Sequence, residues 1–86
     1  MFYVYVLESL SDGKFYTGYT NNIENRLKRH NSGLVKATKY RKPLKFIYYE
    51  YCLNRKDAIK RETYLKSAWG KRYIKNRLRN YLTRSQ

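Results

Sequence analysis

The chain has almost none of the residues that build a disulfide framework or a structural zinc site. It contains one cysteine, Cys52, and one histidine, His30, among 86 residues. A single cysteine cannot form an intrachain disulfide, and a structural zinc site needs about four cysteine or histidine ligands. We therefore expect neither a disulfide nor a structural zinc site to stabilise the fold. Cys52 should pack as a small apolar side chain.

Acidic residues are scarce as well. Six Asp and Glu residues stand against 20 Lys and Arg residues, which gives a formal net charge of +14. So few carboxylates argue against a site in which acids cage two metal ions. Because the basic residues run from Lys14 to Arg84 and repel one another, the charge favours a polyanionic partner, and nucleic acid is the first candidate. A solvated basic surface without a specific partner is the alternative.

Long apolar runs are also missing. No stretch is long enough to span a membrane, and no long, lysine-lined apolar helix stands out, so we expect no membrane partner. The first residues lack the basic and apolar segments of a signal peptide, which favours a cytoplasmic location. The length suits one small domain, and 11 tyrosines exceed what its core requires. Some tyrosine hydroxyls should therefore reach solvent, a ligand or a polar partner.

Two β-type segments predict a hairpin at the start of the chain. Phe2–Leu7 is continuously apolar, which is typical of a central strand covered on both faces. A Ser-Asp-Gly-Lys turn signal separates it from Phe15–Thr20, which has a similar composition. If the loop has an even number of residues, Tyr5 shares a face of the sheet with Tyr16 and Gly18.

The segments after the hairpin predict an α+β domain. A first helix begins at Asn21 or Asn22, either of which can cap it. A third strand follows over Leu44–Leu53, and two further helices come after it. The order ββαβαα implies a three-stranded mixed or antiparallel sheet with helices packed on it. We expect the domain to span residues 1–82 and a tail over 83–86 to fray.

The last two helices are predicted to meet at a glycine. Asn54 caps the second helix and Asp57 lies in its first turn. The apolar positions of that helix are Ala58, Ile59, Leu65 and Trp69. Gly70 interrupts the pattern, so a third helix is expected after it. Its inward positions are Ile74, Leu78, Tyr81 and Leu82.

Glu62 is the most informative side chain on physical grounds. It lies four residues after Ala58 and three before Leu65, so helical spacing puts it on or beside the buried stripe. A buried carboxylate is costly unless it is paired or bound to a metal. One interpretation is a salt bridge to a nearby cation. The other is a ligand for a hard divalent cation, since magnesium often needs only one or two protein carboxylates and keeps its waters.

Two further pairs are candidates for chemistry. Arg26 and His30 are four apart on one helical face, where the arginine could hold a phosphate oxygen and the histidine could relay a proton. An exposed arginine and a helix-terminal histidine would explain the same spacing. Tyr5 and Tyr16 are either core aromatics or groups that orient or deprotonate a water, and a strongly positive site should lower the pKa of such a phenol. Gly18 either admits a phosphate or marks a bulge.

A basic loop before the third strand is a candidate contact for a phosphate backbone, as is the third helix. The loop residues are Lys36, Lys39, Tyr40, Arg41 and Lys42. The cations would neutralise phosphates, and the aromatic ring could stack on a base. A solvated basic face is the alternative.

Taken together, these residues resemble the GIY-YIG nuclease superfamily. Tyr3-Val4-Tyr5 is similar to its first triad, with tyrosine in place of the opening glycine, and Tyr16-Thr17-Gly18 is similar to its second, with threonine in the middle. Arg26, His30 and Glu62 follow in the order and rough spacing of the family. The match covers nearly the whole chain and is closest to small stand-alone bacterial members, described as excinuclease C subunit-like.

The resemblance implies an endonuclease that uses one Mg²⁺ or Mn²⁺ ion to hydrolyse DNA phosphodiester bonds. Tyr5 and Tyr16 would bind or activate the attacking water, Arg26 would contact the scissile phosphate, His30 would assist proton transfer and Glu62 would hold the metal. Many members have a further asparagine near the metal. Asn76 is the candidate for it, with Asn80 as the alternative.

The departures from the family pattern bear on the substrate. The missing first glycine could alter how closely a backbone approaches the first strand. No appended DNA-reading domain is visible, so structured or damaged DNA would be selected by the core, by a protein partner or by a homodimer. RNA is the alternative substrate. The alternative functions are a non-catalytic module that binds RNA or DNA on the same scaffold, and a basic structural protein of a ribonucleoprotein particle.

Overall fold

A three-stranded antiparallel sheet forms the centre of the fold, which the computed structural model describes over residues 1–83. Strand β1 spans Phe2–Ser9, β2 spans Phe15–Thr20 and β3 spans Leu44–Cys52. Their order in the sheet is β2-β1-β3, and both ladders are antiparallel. The apolar run Val4–Leu7 is buried, so the prediction of a covered central strand is confirmed. Of the predicted tail 83–86, residues 84–86 lie outside the described residues.

Helices lie on both faces of this sheet. They are α1 (Ile23–Asn31), α2 (Arg55–Lys66), α3 (Ala68–Arg77) and the single turn α4 (Arg79–Leu82), and a 3₁₀ turn spans Lys36–Thr38. Residues of α1 pack with Tyr5 and Leu7 on one face, whereas α2 and α3 pack with Val4 and Val6 on the other. The predicted order ββαβαα and the α+β class are confirmed, with α4 as an extra turn. None of the helices described over residues 1–83 is both long and apolar enough to cross a bilayer.

The hairpin register sets which side chains face α1. Tyr5 lies opposite Gly18 and Leu7 lies opposite Tyr16. The last pair of this ladder is Glu8 with Phe15, and the six residues between them are the even number that the parity argument requires. A Cβ atom added at Gly18 would lie only 2.6 Å from the hydroxyl oxygen of Tyr5. Glycine is therefore required here because the ring of Tyr5 leans over β2 and occupies the space of a side chain.

Asparagine caps fix where the two functional helices begin. The side chain of Asn22 accepts a hydrogen bond from the backbone N–H of Asn25, and that of Asn54 accepts one from the N–H of Lys56. Each cap satisfies a donor that the first helical turn leaves unpaired. The caps thereby set the rotational position of the side chains farther along α1 and α2.

The junction between α2 and α3 differs from the prediction. Ser67 separates the helices and caps α3, while Gly70 lies buried inside α3. A Cβ atom at Gly70 would lie 2.1 Å from the carbonyl oxygen of Tyr64, so the glycine permits close helix packing and does not end a helix. The prediction that Trp69 continues the apolar positions of the second helix is wrong, because Trp69 belongs to α3 and is 68% exposed. Cys52 packs half-buried against the apolar cluster, as predicted.

Candidate active site

A cleft of about 360 Å³ brings together four of the six predicted catalytic residues and Gly18. Tyr5, Tyr16, Gly18, Arg26 and Glu62 all line it. The arginine comes from α1 and the carboxylate comes from α2, which lie on opposite faces of the sheet. Side chains from opposite faces can share a cleft only around an edge of the sheet, and here that edge is strand β2.

A buried chain of polar atoms leads inward from Tyr5. Its hydroxyl oxygen lies 2.9 Å from Nε2 of His30, and Nδ1 of His30 lies 2.7 Å from Oγ1 of Thr38. The imidazole and the threonine are fully buried, and Tyr5 is 1% exposed. The hydroxyl of Thr38 can donate to the carbonyl of Val35 at 3.5 Å, and its lone pairs then accept from Nδ1–H. In that tautomer Nε2 accepts the hydroxyl proton of Tyr5.

Burial keeps both partners neutral. Loss of hydration raises the pKa of the Tyr5 phenol well above its ordinary value, with Tyr16 adding to the rise and Arg26 opposing it. The prediction that a positive site lowers the pKa of this phenol is therefore wrong, because desolvation outweighs the attraction of the arginine. Burial also lowers the pKa of His30 to about 4, and the positive charges of Arg26 and Arg29 contribute to the same shift.

Glu62 is both paired and accessible from the cleft. Its carboxylate lies 3.0 Å from Nζ of Lys66, one turn later on α2, and its side chain is 17% exposed. The expectation of an inward-facing acid agrees with this position. The salt-bridge interpretation agrees with the ion pair to Lys66, and the same carboxylate also lines the cleft.

The donor set around Glu62 fits a hydrated divalent ion. Within residues 1–83, no group of three or more His, Cys, Asp or Glu side chains could hold a metal. Glu62 is the one carboxylate among the described residues that line the cleft. A hard ion that keeps most of its waters needs little more than this from the protein.

Arg55 and Thr38 also belong to the site, although neither was predicted from the sequence. Arg55 lines the cleft and donates a hydrogen bond to the Tyr19 hydroxyl at 3.1 Å. It precedes Glu62 by seven residues, or about two helical turns, so helical periodicity could have identified it. Thr38 lies in the loop after α1, and no local pattern points to its contact with His30.

Asn76 is not brought to the cleft. Its side chain accepts a hydrogen bond from Arg79 at 2.7 Å on an exposed part of α3. Asn80 is exposed on α4. Among the described residues, neither asparagine lines the cleft, so the geometry gives neither a role beside Glu62.

The basic loop is largely exposed, with one exception. Lys36, Lys39, Tyr40 and Lys42 are exposed, and the ammonium of Lys39 lies over the ring of Tyr40. Arg41 is half-buried, lies 3.2 Å from Asp12 and donates to the carbonyl of Phe15. Arg41 therefore ties the loop to the hairpin, while the other four side chains are available to a partner.

Comparison with known proteins finds one family model and several relatives. Residues 1–76 match the family model described as the GIY-YIG catalytic domain. The chain is 46% identical over 67 residues to a UPF0213 protein of Clostridium perfringens, covering 77% of this chain and 71% of that protein. It is 46% identical over 81 residues to a UPF0213 protein of Bacillus licheniformis, covering 90% and 82%.

A solved structure has the same fold. The solution NMR structure of a UPF0213 protein from Bacillus halodurans superimposes with a TM-score of 0.53 at 35% identity. The match covers 86% of this chain and 82% of that one. Together with the family model, it supports the α+β fold described above.

Proposed function

Because the chain belongs to the family of the GIY-YIG catalytic domain, a nuclease family, we propose that it is a metal-dependent endonuclease that hydrolyses phosphodiester bonds in DNA. One observation carries the proposal. The carboxylate of Glu62 on α2, the guanidinium of Arg26 on α1 and two tyrosine hydroxyls of the sheet line one cleft, in a protein with net charge +14. Polyanionic substrates are attracted to such a protein, and the cleft offers groups for phosphate binding and proton transfer.

Glu62 would hold Mg²⁺ or Mn²⁺ at the wall of the cleft. When bound, the ion supplies Lewis-acid stabilisation of the charge that develops on the phosphate and the leaving oxygen. The mostly buried position of the carboxylate strengthens its interaction with a cation, because little water competes for it. Lys66 balances the same charge when no cation is present.

Arg26 would bind the scissile phosphate. Its side chain lines the cleft and forms no ion pair within the described part of the chain. A guanidinium can donate two parallel hydrogen bonds to phosphate oxygens, which fixes the orientation of the phosphorus. Arg55 lines the same cleft and is available for a flanking phosphate.

Tyr5 and His30 would move the proton of the attacking water. In the tautomer with the proton on Nδ1, the Tyr5 hydroxyl donates to Nε2 at 2.9 Å, and its oxygen lone pairs can accept a proton from water. As the water oxygen bonds to phosphorus, one water proton passes to Tyr5, whose own proton passes to Nε2 of His30. The 3′ oxygen leaves on the opposite side of the phosphorus and takes a proton from solvent, and His30 then returns its proton through Tyr5 to water, which resets the relay. Tyr16 is the second candidate to orient the water.

The test compares nicking of plasmid and branched DNA by the wild type, Glu62→Gln and the control Glu24→Gln. Glu24 is an exposed acid on α1, so both substitutions remove one negative charge. We expect nicking that needs Mg²⁺ or Mn²⁺, a loss of about 100-fold or more in Glu62→Gln, and little change in Glu24→Gln. Unchanged nicking by Glu62→Gln would refute the role proposed for Glu62.

The Glu62–Lys66 ion pair favours one alternative, a non-catalytic module that binds RNA or DNA. A paired carboxylate needs no metal to be stable in its place. This alternative expects salt-sensitive binding without metal-dependent scission in the same assay. Selection of the target through a protein partner or a homodimer is compatible with either function.

A further inference from the structure

A larger cavity lies next to the candidate active site, on the α2/α3 side of the hairpin. Its volume is about 560 Å³, within the range of pockets that bind small ligands. Tyr16 lines both cavities. Glu62 lines the cleft, and its ion-pair partner Lys66 lines the larger cavity. A nucleic-acid strand bound in the cleft can therefore continue directly into this second cavity.

We call this cavity the basic groove, and its rim is cationic. Its five basic residues are Lys14, Arg41, Lys66, Lys71 and Lys75, and none of the described residues that line it is acidic. Arg41 and Lys66 are ion-paired, whereas Lys14, Lys71 and Lys75 have no ion-pair partner within residues 1–83. Positions four apart on a helix are neighbours, so Lys71 and Lys75 form one row on α3. This arrangement attracts an anion with more than one charge.

The floor of the basic groove is apolar. Val6, Leu65 and Ile74 belong to the buried core, and the half-buried ring of Phe15 packs against that cluster. An isolated phosphate would gain nothing from such a floor. A nucleobase would, because its flat face packs on aromatic and aliphatic groups while its phosphates meet the lysines. A second copy of this chain is a poor occupant, since it also carries a charge of +14.

We propose that the basic groove binds an unpaired nucleotide of the substrate strand, beside the phosphate held in the catalytic cleft. This inference rests on the proposed function and names its substrate class. A base inside a duplex is stacked and paired, so it can reach the apolar floor only after it has left the helix. The enzyme therefore prefers single strands, flaps or gaps to intact duplex. The same chemistry applies to DNA and RNA, which the test separates.

The first experiment measures the affinity of a fluorescent oligonucleotide in EDTA, as a single strand and as a blunt duplex, in DNA and RNA versions. The groove variant is Lys71→Ala/Lys75→Ala. The control is Lys28→Ala/Lys60→Ala, which removes the same charge from exposed positions that line neither cavity. We expect the wild type to bind the single strand more tightly. In the groove variant, the slope of log affinity against log salt for the single strand should fall by about 1.4, the loss of two phosphate contacts.

The second experiment tests the base itself. Phe15→Leu removes the ring but keeps an apolar side chain in the floor. It should weaken binding of the single strand by about fivefold or more, without changing the salt slope, and should not weaken binding of an abasic strand. A single strand that carries 5-bromouracil should also photocrosslink to the hairpin or α3, mapped by mass spectrometry. This readout needs no variant and covers the case in which Phe15→Leu fails to fold.

The outcomes separate this inference from the proposed function. Equal affinity for single strand and duplex, or equal losses in the groove and control variants, would overturn the inference. If the wild type still nicks DNA in a Glu62-dependent manner, the proposed function stands without it. Groove-dependent binding of single strands with no metal-dependent cleavage would support the groove and reject the nuclease.

Discussion

The two faces of the central strand β1 differ in their chemistry. On the α2/α3 face, Val4 and Val6 pack into a buried cluster whose other members are Ala58, Leu65 and Ile74. On the α1 face, Tyr5 begins a chain of hydrogen bonds that ends at the buried Thr38. Alternate residues of a strand point to opposite faces of the sheet. The same strand therefore contributes Val4 and Val6 to the apolar core on one face and Tyr5 to the hydrogen-bonded chain on the other.

The apolar cluster contributes mainly to stability, whereas the hydrogen-bonded chain that begins at Tyr5 contributes mainly to the proposed function. Burial of aliphatic groups stabilises the fold at about 25 cal/mol per Å², whereas buried polar groups at best recover their desolvation cost. On the α1 face the cost of desolvating the buried polar atoms is offset because each of them has a hydrogen-bond partner. Within residues 1–83, no buried side-chain nitrogen or oxygen lacks a partner. We therefore expect substitution of Tyr5 in the relay to change catalysis, and substitutions in the apolar cluster to change stability.

The largest expected effect is on the relay. Tyr5→Phe keeps the buried ring and removes the hydroxyl that bonds His30. The nicking rate should fall by about 10²- to 10⁴-fold, the usual contribution of a proton-transfer group. Tyr51→Phe, at an exposed position on β3, is the matched control and should keep the wild-type rate. A Tyr5→Phe rate within a few-fold of wild type would remove the relay from the mechanism.

The next effect is on the apolar face. Ile74→Ala opens a cavity in the buried cluster and should lower the free energy of unfolding by about 2–5 kcal/mol, measured by urea denaturation. Leu53→Ala, at a position that is 78% exposed, should change it by less than about 0.5 kcal/mol. Similar losses in the two variants would contradict the assignment of the stabilising core to the α2/α3 face.

The smallest expected effect is the pH dependence that His30, on the α1 face, adds to the free energy of unfolding. The pKa of His30 falls from 6.5 to about 4 on folding, so between these values the unfolded chain binds a proton that the folded chain does not. The stability contributed by the neutral imidazole is thus complete above about pH 6.5 and is lost as the pH falls toward about 4. The loss is on the order of 2 kcal/mol.

The measurement is the unfolding free energy of the wild type and His30→Gln at about pH 7 and about pH 4.5. Glutamine does not titrate, so the wild type should lose more stability on acidification than the variant does. The acidic residues are common to both proteins and cancel in the comparison. Equal losses would show that His30 is not held neutral by burial.

Local patterns predicted the parts of the site that depend on local geometry. The period of two in a strand placed Tyr5 with Gly18, and the period of 3.6 in a helix turned Glu62 inward. The caps at Asn22 and Asn54 follow from the unpaired donors of a first helical turn. Each of these outcomes is decided by residues close together in the chain.

Contacts between distant segments decided the features that the patterns missed. Thr38 meets His30 only because the loop folds back on α1, and Gly70 lies inside a helix because α3 approaches the end of α2 closely. The sign of the Tyr5 pKa shift also depends on burial, which a count of charges does not contain. The sequence therefore predicts which side chains belong to the site better than it predicts their electrostatic state.

The most direct test of the account is a crystal structure of the protein soaked with Mn²⁺. The anomalous difference map should show one peak bound to the carboxylate of Glu62, inside the cleft lined by Tyr5, Tyr16 and Arg26, with Lys66 displaced from the carboxylate. The same soak of Glu62→Gln should show no peak there. A wild-type map without a peak at Glu62, from protein that nicks DNA in the soaking solution, would contradict the account.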